Sequence, residues 1–116
     1  MKLLKNANVY TPAPLGKQDV LIEGEKVLRI AEEIRGYEGL PDVEVYDLAG
    51  KTLVPAYIDL HVHITGGAGE QGPASRVPES SLSTFFKNGI TTVVGLLGTD
   101  GITRSLENLV AKARAL

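Results

Sequence analysis

LVPAYIDLHVH, residues 53–63, is an apolar, strand-like run that ends in both histidines of the chain. Successive side chains of a strand point to opposite faces, so His61 and His63 share one face while Val62 points to the other. Two imidazoles on one face can reach the same cation. A His-x-His pair also occurs by chance, with imidazoles that serve only as partly exposed hydrogen-bonding groups.

A glycine-rich loop, ITGGAGEQGP at residues 64–73, follows this strand directly. Its backbone can approach a ligand closely because glycine carries no Cβ. The chain has no cysteine, so a metal bound here would have nitrogen and oxygen ligands. Asp59, Glu70 and Asp100 are candidate oxygen ligands, although Asp59 equally fits an orienting or structural carboxylate. A strand that ends in two possible ligands and opens into such a loop is typical of a binding site.

Length, charge and apolar runs restrict the kind of protein. A chain of 116 residues fits one domain or two small lobes. The formal net charge is −2 and no block of Lys and Arg is present, which argues against a nucleic-acid partner. No apolar run approaches the roughly 18 to 20 residues of a membrane span, and the first residues lack the apolar core of a secretory signal. We expect a cytoplasmic protein without a membrane role.

Short β segments separated by turns precede Pro55. Strands are predicted over residues 7–10 and, half-buried, over residues 43–48, and residues 11–16 are predicted as a loop. Residues 18–30 contain two β-rich runs around a glycine-containing turn, the pattern of a hairpin. Proline cannot donate to a strand ladder. Pro55 therefore marks a boundary between a small β lobe, residues 1–54, and a second unit, residues 55–116.

The second unit alternates strands with helices. Helices are predicted over residues 78–88, with Pro78 in the first turn, and over residues 105–116, and a parallel strand buried on both faces is predicted over residues 90–97. Two βα units result, and the fold class is α/β. A two-stranded sheet is marginal alone, and a (β/α)₈ barrel needs roughly 200 residues or more. We therefore expect further strands and metal ligands in sequence outside these 116 residues.

Three segments carry a family resemblance. Residues 54–63 resemble the first barrel strand of the amidohydrolase superfamily, whose usual form is Pro-Gly, an aromatic or aliphatic residue, then Ile-Asp-x-His-x-His. Residues 66–79, GGAGEQGP followed by RVPE, and residues 89–100, GITTVVGLLGTD, are similar to the isoaspartyl (β-aspartyl) dipeptidase subgroup. The resemblance covers the whole chain but only the N-terminal third or so of such an enzyme. It implies part of a β-sandwich followed by the first two βα units of a metal-dependent (β/α)₈ TIM barrel, left incomplete.

The resemblance also implies a function and its residues. The complete protein would be a zinc metallopeptidase, with two zinc ions per site, that hydrolyses the β-linked amide of isoaspartyl dipeptides and forms a homo-oligomer. His61 and His63 would be ligands of the more buried zinc, Glu70 would bind the α-ammonium group of the substrate, and Thr99 would contact the substrate. Taken without the resemblance, Glu70 fits a solvated loop carboxylate and Thr99 a turn or cap residue.

The remaining family residues belong to later strands. They are the lysine that bridges the metals as a carbamate, two histidine ligands and the aspartate that handles the proton. No catalytic residue is therefore assigned within this chain, and the 116-residue chain alone is predicted to be inactive.

Two residues depart from the family pattern, and two other functions stay open. Ala56 replaces a common glycine, and Ala68 interrupts a glycine run, where its Cβ would limit approach to a substrate if the backbone φ is positive. The alternatives are another amidohydrolase, of the dihydroorotase, hydantoinase or N-acyl amino acid deacylase type, and a non-catalytic fragment that only assembles with other chains.

Overall fold

Two compact units, Met1–Pro55 and Ala56–Leu116, make up the computed structural model, which describes all 116 residues. The chain is mixed α/β, with more residues in strands than in helices. No helix is long and apolar enough to cross a bilayer. The interpretation of the two units as part of a β-sandwich and as the start of a barrel stays a prediction.

The first unit is one mixed sheet of five strands around β1. The strands are β1 (Lys2–Tyr10), β2 (Pro14–Glu23), β3 (Lys26–Ala31), β4 (Glu44–Asp47) and β5 (Thr52–Leu53). β2 pairs antiparallel with β1 and with β3, whereas β4 and then β5 pair parallel with β1. The predicted hairpin is confirmed as β2 and β3, with Gly24 at a φ of +54° between them.

The ends and the burial of some strands differ from those predicted by the sequence pattern. β1 begins at Lys2 rather than at residue 7, and β2 takes residues 14–16 of the predicted loop. The strand predicted over residues 43–48 is confirmed as β4, but all four of its residues are exposed rather than half-buried. The reason is its position, because β4 pairs with β1 alone and has no further strand beside it.

A buried carboxylate organises the first unit. Asp19, only 2% exposed, accepts the backbone N–H of Asn6 at 2.9 Å and of Ile34 at 3.0 Å. Asn6 lies at a β-bulge of β1, with a φ of +56°, and its N–H is thus satisfied by a side chain. The apolar core beside this carboxylate consists of two clusters: Leu3, Leu21, Ile34, and Ala7, Val9, Val20.

The second unit contains a parallel strand pair and two helices. Its elements are β6 (Tyr57–Val62), a 3₁₀ turn (Pro73–Ser75), α1 (Leu82–Lys87), β7 (Ile90–Gly95) and α2 (Leu106–Ala115). β6 and β7 pair in parallel, and each is followed by a helix. The predicted order of strand, helix, strand, helix is therefore confirmed. Ser105 caps α2 by accepting the N–H of Asn108 at 3.2 Å.

Two predictions about this unit were wrong. The first helix begins at Leu82, because the segment before it is bound to the glycine loop: the Ser80 N–H donates to the Ile64 carbonyl at 3.1 Å, and the Val77 N–H to Gly67 at 3.0 Å. β7 is not buried on both faces: Val94 is 44% exposed, because no second layer covers its side chain.

Candidate metal and substrate site

The two histidines lie together at the carboxyl end of β6. Their ring centroids are 5.2 Å apart, with the planes at 78°, in an edge-to-face arrangement. His61 is exposed and His63 is partly buried. His63 Nδ1 is buried and has no hydrogen-bond partner. A buried polar atom without a partner is costly, so this nitrogen is suited to bind a ligand.

Two glycines leave space beside the His63 ring. A Cβ on Gly98 would lie 3.4 Å from His63 Nδ1, and a Cβ on Gly67 would lie 3.8 Å from the ring carbons. The nitrogen therefore faces a region that a side chain at Gly98 would fill, and the absence of a side chain at Gly67 leaves space beside the ring carbons. The unpartnered nitrogen is suited to be a metal ligand, and the open space beside it is suited to hold the ion.

The chain offers His61 and His63 as candidate ligands of such a centre and no third side chain beside them. No group of three or more His, Asp or Glu side chains that could hold a metal ion is present. Asp59 lies near the pair in sequence, and its Oδ1 accepts the backbone N–H of His61 at 3.1 Å. Asp59 thus holds the local backbone, the orienting alternative raised by the sequence.

The structure brings Glu70 and Thr99 together from two different loops. The Thr99 hydroxyl donates to Glu70 Oε2 at 2.8 Å. The pKa of Glu70 is lowered by the hydrogen bond from its own backbone N–H and by that of Thr99. Glu70 is therefore a carboxylate at neutral pH, and carboxylates are strong partners for ammonium groups. The contact joins residues 29 positions apart.

Sequence reasoning missed a buried arginine behind this pair. The side chain of Arg104 is 3% exposed. Its Nε donates to the Thr65 carbonyl at 2.9 Å, Nη1 to Ala68 at 3.1 Å and Nη2 to Val77 at 3.0 Å. One signal could have found it, because Arg104 directly precedes the N-cap of α2, where the helix dipole disfavours a cation.

Asp100, a candidate oxygen ligand, has other partners in the structure. Its carboxylate accepts the N–H of Ile102 at 3.1 Å, and both the N–H, at 2.8 Å, and the hydroxyl of Thr103. Arg76 Nε lies 3.3 Å and Arg104 Nη1 3.6 Å from Oδ2. The Thr103 hydrogen bonds lower the pKa of Asp100 to about 2. Its role here is to close the loop after β7.

At several residues, the glycine loop has a positive backbone φ, a conformation that glycine favours. Gly66 has a φ of +87°, and a Cβ there would lie 2.2 Å from the Val77 carbonyl oxygen. Ala68 has a φ of +56°, so the departure from the glycine run falls at a left-handed position. The loop is thus held by close backbone contacts at Gly66 and carries backbone strain at Ala68.

No protein-family model matches the chain. Over 99% of its length it is similar to the crystal structure of the β-aspartyl dipeptidase of Fervidobacterium islandicum AW-1 in complex with a β-Asp-Leu dipeptide, with 51% identity and a TM-score of 0.87. The dihydroorotase of Staphylococcus aureus is 31% identical over 111 residues, 96% of this chain. A D-hydantoinase from a Thermus species is 29% identical over 82% of the chain, with a TM-score of 0.61.

These similarities are to enzymes of the amidohydrolase superfamily, the class that the sequence resembles. Within that class, the chain is similar to the β-aspartyl dipeptidases, and the resemblance predicted from its residues is confirmed. The chain spans about 30% of the length of the Fervidobacterium enzyme and 25% of the staphylococcal dihydroorotase.

Proposed function

We propose that this chain is the N-terminal part of a metal-dependent hydrolase that cleaves the β-linked amide of isoaspartyl dipeptides. The observation that carries the proposal is the 51% identity, over nearly the whole chain, to a β-aspartyl dipeptidase that was crystallised with β-Asp-Leu. The 116 residues alone would not catalyse this reaction, because the chain has no third metal ligand and no assigned proton-transfer residue.

His61 and His63 would hold zinc in this protein. The fit rests on the buried, unpartnered Nδ1 of His63 and on the 5.2 Å separation of the two rings. The other ligands of a two-zinc centre would come from residues outside this chain. When bound, the metal polarises the amide carbonyl and lowers the pKa of water.

Glu70 and Thr99 would bind the substrate. The Thr99 hydroxyl donates to Oε2 of Glu70, and the carboxylate would use a remaining lone pair to accept an N–H of the α-ammonium group. The lowered pKa of Glu70 keeps the charge that this contact needs at neutral pH. Thr99 would thus orient the carboxylate and lie beside the substrate.

The rest of the protein follows from the same proposal. Residues 1–54 would be part of a β-sandwich, and residues 55–116 the first two βα units of a (β/α)₈ TIM barrel. The complete protein would be a cytoplasmic homo-oligomer.

Cyclic-amide hydrolysis is the second candidate. The curated relatives of 31% identity are dihydroorotases, and a D-hydantoinase shares the fold over 82% of the chain. Both candidates use the same two histidines. They differ at Glu70, because dihydroorotate and hydantoins present no α-ammonium group to this carboxylate.

Hydrolysis rates of the longer protein that contains these residues test the proposal. β-Asp-Leu, dihydroorotate, a hydantoin and an N-acyl amino acid are compared as substrates, with the His61→Ala, His63→Ala double variant as the control. We expect β-Asp-Leu to be hydrolysed fastest, and the double variant to lose this activity. Equal rates for wild type and double variant would contradict metal-dependent hydrolysis, while a preference for dihydroorotate would support the second candidate.

A further inference from the structure

The guanidinium of Arg104 is a buried charge with an unusual set of partners. Burying a charge is costly unless it is paired and hydrogen-bonded. The counter-charge, Asp100 Oδ2, lies 3.6 Å away, and three main-chain carbonyls accept the guanidinium N–H groups at 2.9 to 3.1 Å. The arginine is therefore satisfied mainly by backbone.

All three carbonyls belong to the loop that follows β6. Thr65 lies at its start, Ala68 in its middle and Val77 at its end. A guanidinium is a planar fork whose donors have fixed directions, so a single side chain fixes three points of this loop at once. Its Nη1 also faces Asp100, which belongs to the loop after β7.

The substrate-binding pair lies next to these anchored points. Glu70 is two residues beyond Ala68, and Thr99 directly precedes Asp100. The 2.8 Å hydrogen bond between Thr99 and Glu70 therefore joins the same two loops that Arg104 joins from the buried side.

We propose that Arg104 is a positioning residue, which holds the two loops in register so that Glu70 meets Thr99. What Glu70 binds rests on the proposed function, but the positioning itself does not. A merely structural arginine would stabilise the unit without a specific effect on the Glu70 carboxylate.

The pKa of Glu70, measured by carbon-detected NMR titration of the 116-residue chain, tests the positioning. Arg104→Lys keeps the positive charge and removes the fork, Arg104→Met removes both, and Arg114→Met, at an exposed position of α2, is the matched control. The pKa of Glu70 is lowered first by its own backbone N–H and second by the Thr99 hydroxyl. We expect both Arg104 variants to raise this pKa part of the way toward its ordinary value, because misplaced loops would break the Thr99 contact. Glu33, whose pKa is lowered by Arg35 in the other unit, should not change.

A double-mutant comparison separates positioning from a general loosening. In a Thr99→Val background the hydroxyl is already gone, so Arg104→Lys should change the pKa of Glu70 much less than in the wild type. An unchanged pKa of Glu70 in a folded Arg104→Lys chain, judged by circular dichroism and amide dispersion, would overturn the proposal. The proposal would also be overturned if Arg104→Lys changed the pKa of Glu70 equally in the wild type and in Thr99→Val, or if neither Arg104 variant folded.

Kinetics of the longer protein give a second readout. Arg104→Lys should raise KM for β-Asp-Leu by about tenfold, because a displaced Glu70 binds the ammonium group less well, and leave kcat within about threefold. A fall in kcat with unchanged KM would overturn the positioning of Glu70. Absence of dipeptidase activity in the wild type would overturn the proposed function alone, since the NMR result does not depend on turnover.

Discussion

Ala68 has a side chain that disfavours the backbone conformation of its own loop. Its φ of +56° is a left-handed conformation, which costs an L-residue with a Cβ roughly 1–2 kcal/mol. The residue persists there because Arg104 Nη1 holds its carbonyl at 3.1 Å.

Replacing Ala68 by glycine should therefore stabilise the protein. The strain relief is partly offset by the greater freedom of glycine in the unfolded chain, so we expect a net gain of about 0.5–1 kcal/mol in the free energy of unfolding. Urea denaturation measures it. Ala111→Gly, on the exposed face of α2, is the control and should destabilise by a similar amount. Destabilisation by both substitutions would refute the strain.

Gly98 tests the open space beside His63 Nδ1, the nitrogen that we propose as a metal ligand. A methyl group there would lie 3.4 Å from His63 Nδ1, in ordinary contact with the ring but in the space a metal would need. We expect Gly98→Ala to weaken zinc binding by the longer protein about tenfold or more, measured by chelator competition. Gly101→Ala, where a Cβ would meet nothing within 4 Å, should leave zinc affinity unchanged. Equal affinities in both variants would argue against His63 as a ligand.

At the scale of elements, the loop after β7 is closed by the Asp100 carboxylate. The Thr103 hydrogen bonds lower its pKa to about 2 in the folded protein, so the folded state binds this proton more weakly than the unfolded chain does. The resulting stabilisation is complete above about pH 5, where the unfolded carboxyl is almost fully ionised. It is lost as the pH falls toward the folded pKa of about 2.

The loss of stability caused by Asp100→Asn should consequently depend on pH. We expect the variant to be less stable than wild type at pH 7, and the difference in urea midpoint to shrink steadily below about pH 5. Glu107→Gln on exposed α2 serves as the comparison, because its carboxyl has a lowered pKa from the Ser105 hydroxyl but makes no contact with Asp100. A constant difference for Asp100→Asn between pH 7 and pH 2.5 would disprove the linkage.

Local patterns predicted the elements well, and contacts distant in sequence explain the errors. The β2–β3 hairpin, β7 and α2 have periodicities that a short window contains. The start of α1 was misplaced because the Ser80 N–H bonds to Ile64, a contact with no local signature. Residue spacing pointed to His61 and His63 as neighbours.

The contact between Glu70 and Thr99 and its support by Arg104 lay beyond such reasoning. The residues alone marked Glu70 as a candidate oxygen ligand, whereas its pairing with Thr99, 29 residues away, as a substrate contact came only from the family resemblance and stays a prediction. Arg104 was missed altogether, because backbone carbonyls, which every residue possesses, are its main partners.

At the scale of the whole molecule, the second unit exposes more apolar strand surface than a folded protein usually leaves in water. Ile58 and Leu60, which share one face of β6, are 63% and 71% exposed. Neighbouring exposed apolar side chains of this kind mark a face that another element covers. In the proposed barrel, the strands and helices that follow in the longer protein would cover it.

Ile58→Thr should accordingly have different effects in the two lengths of the protein. In the 116-residue chain the side chain is exposed, so we expect a change in unfolding free energy within about 0.5 kcal/mol. In the longer protein the same substitution should cost about 2–3 kcal/mol, because a buried methylene is lost and a hydroxyl is buried. Ile64→Thr is the matched control: Ile64 is already 0% exposed in this chain, so its replacement should be costly in both lengths. Denaturant unfolding of the wild type and both variants in each length, six proteins in all, measures the contrast. An equally small effect of Ile58→Thr in both lengths would rule out burial of this face in a barrel.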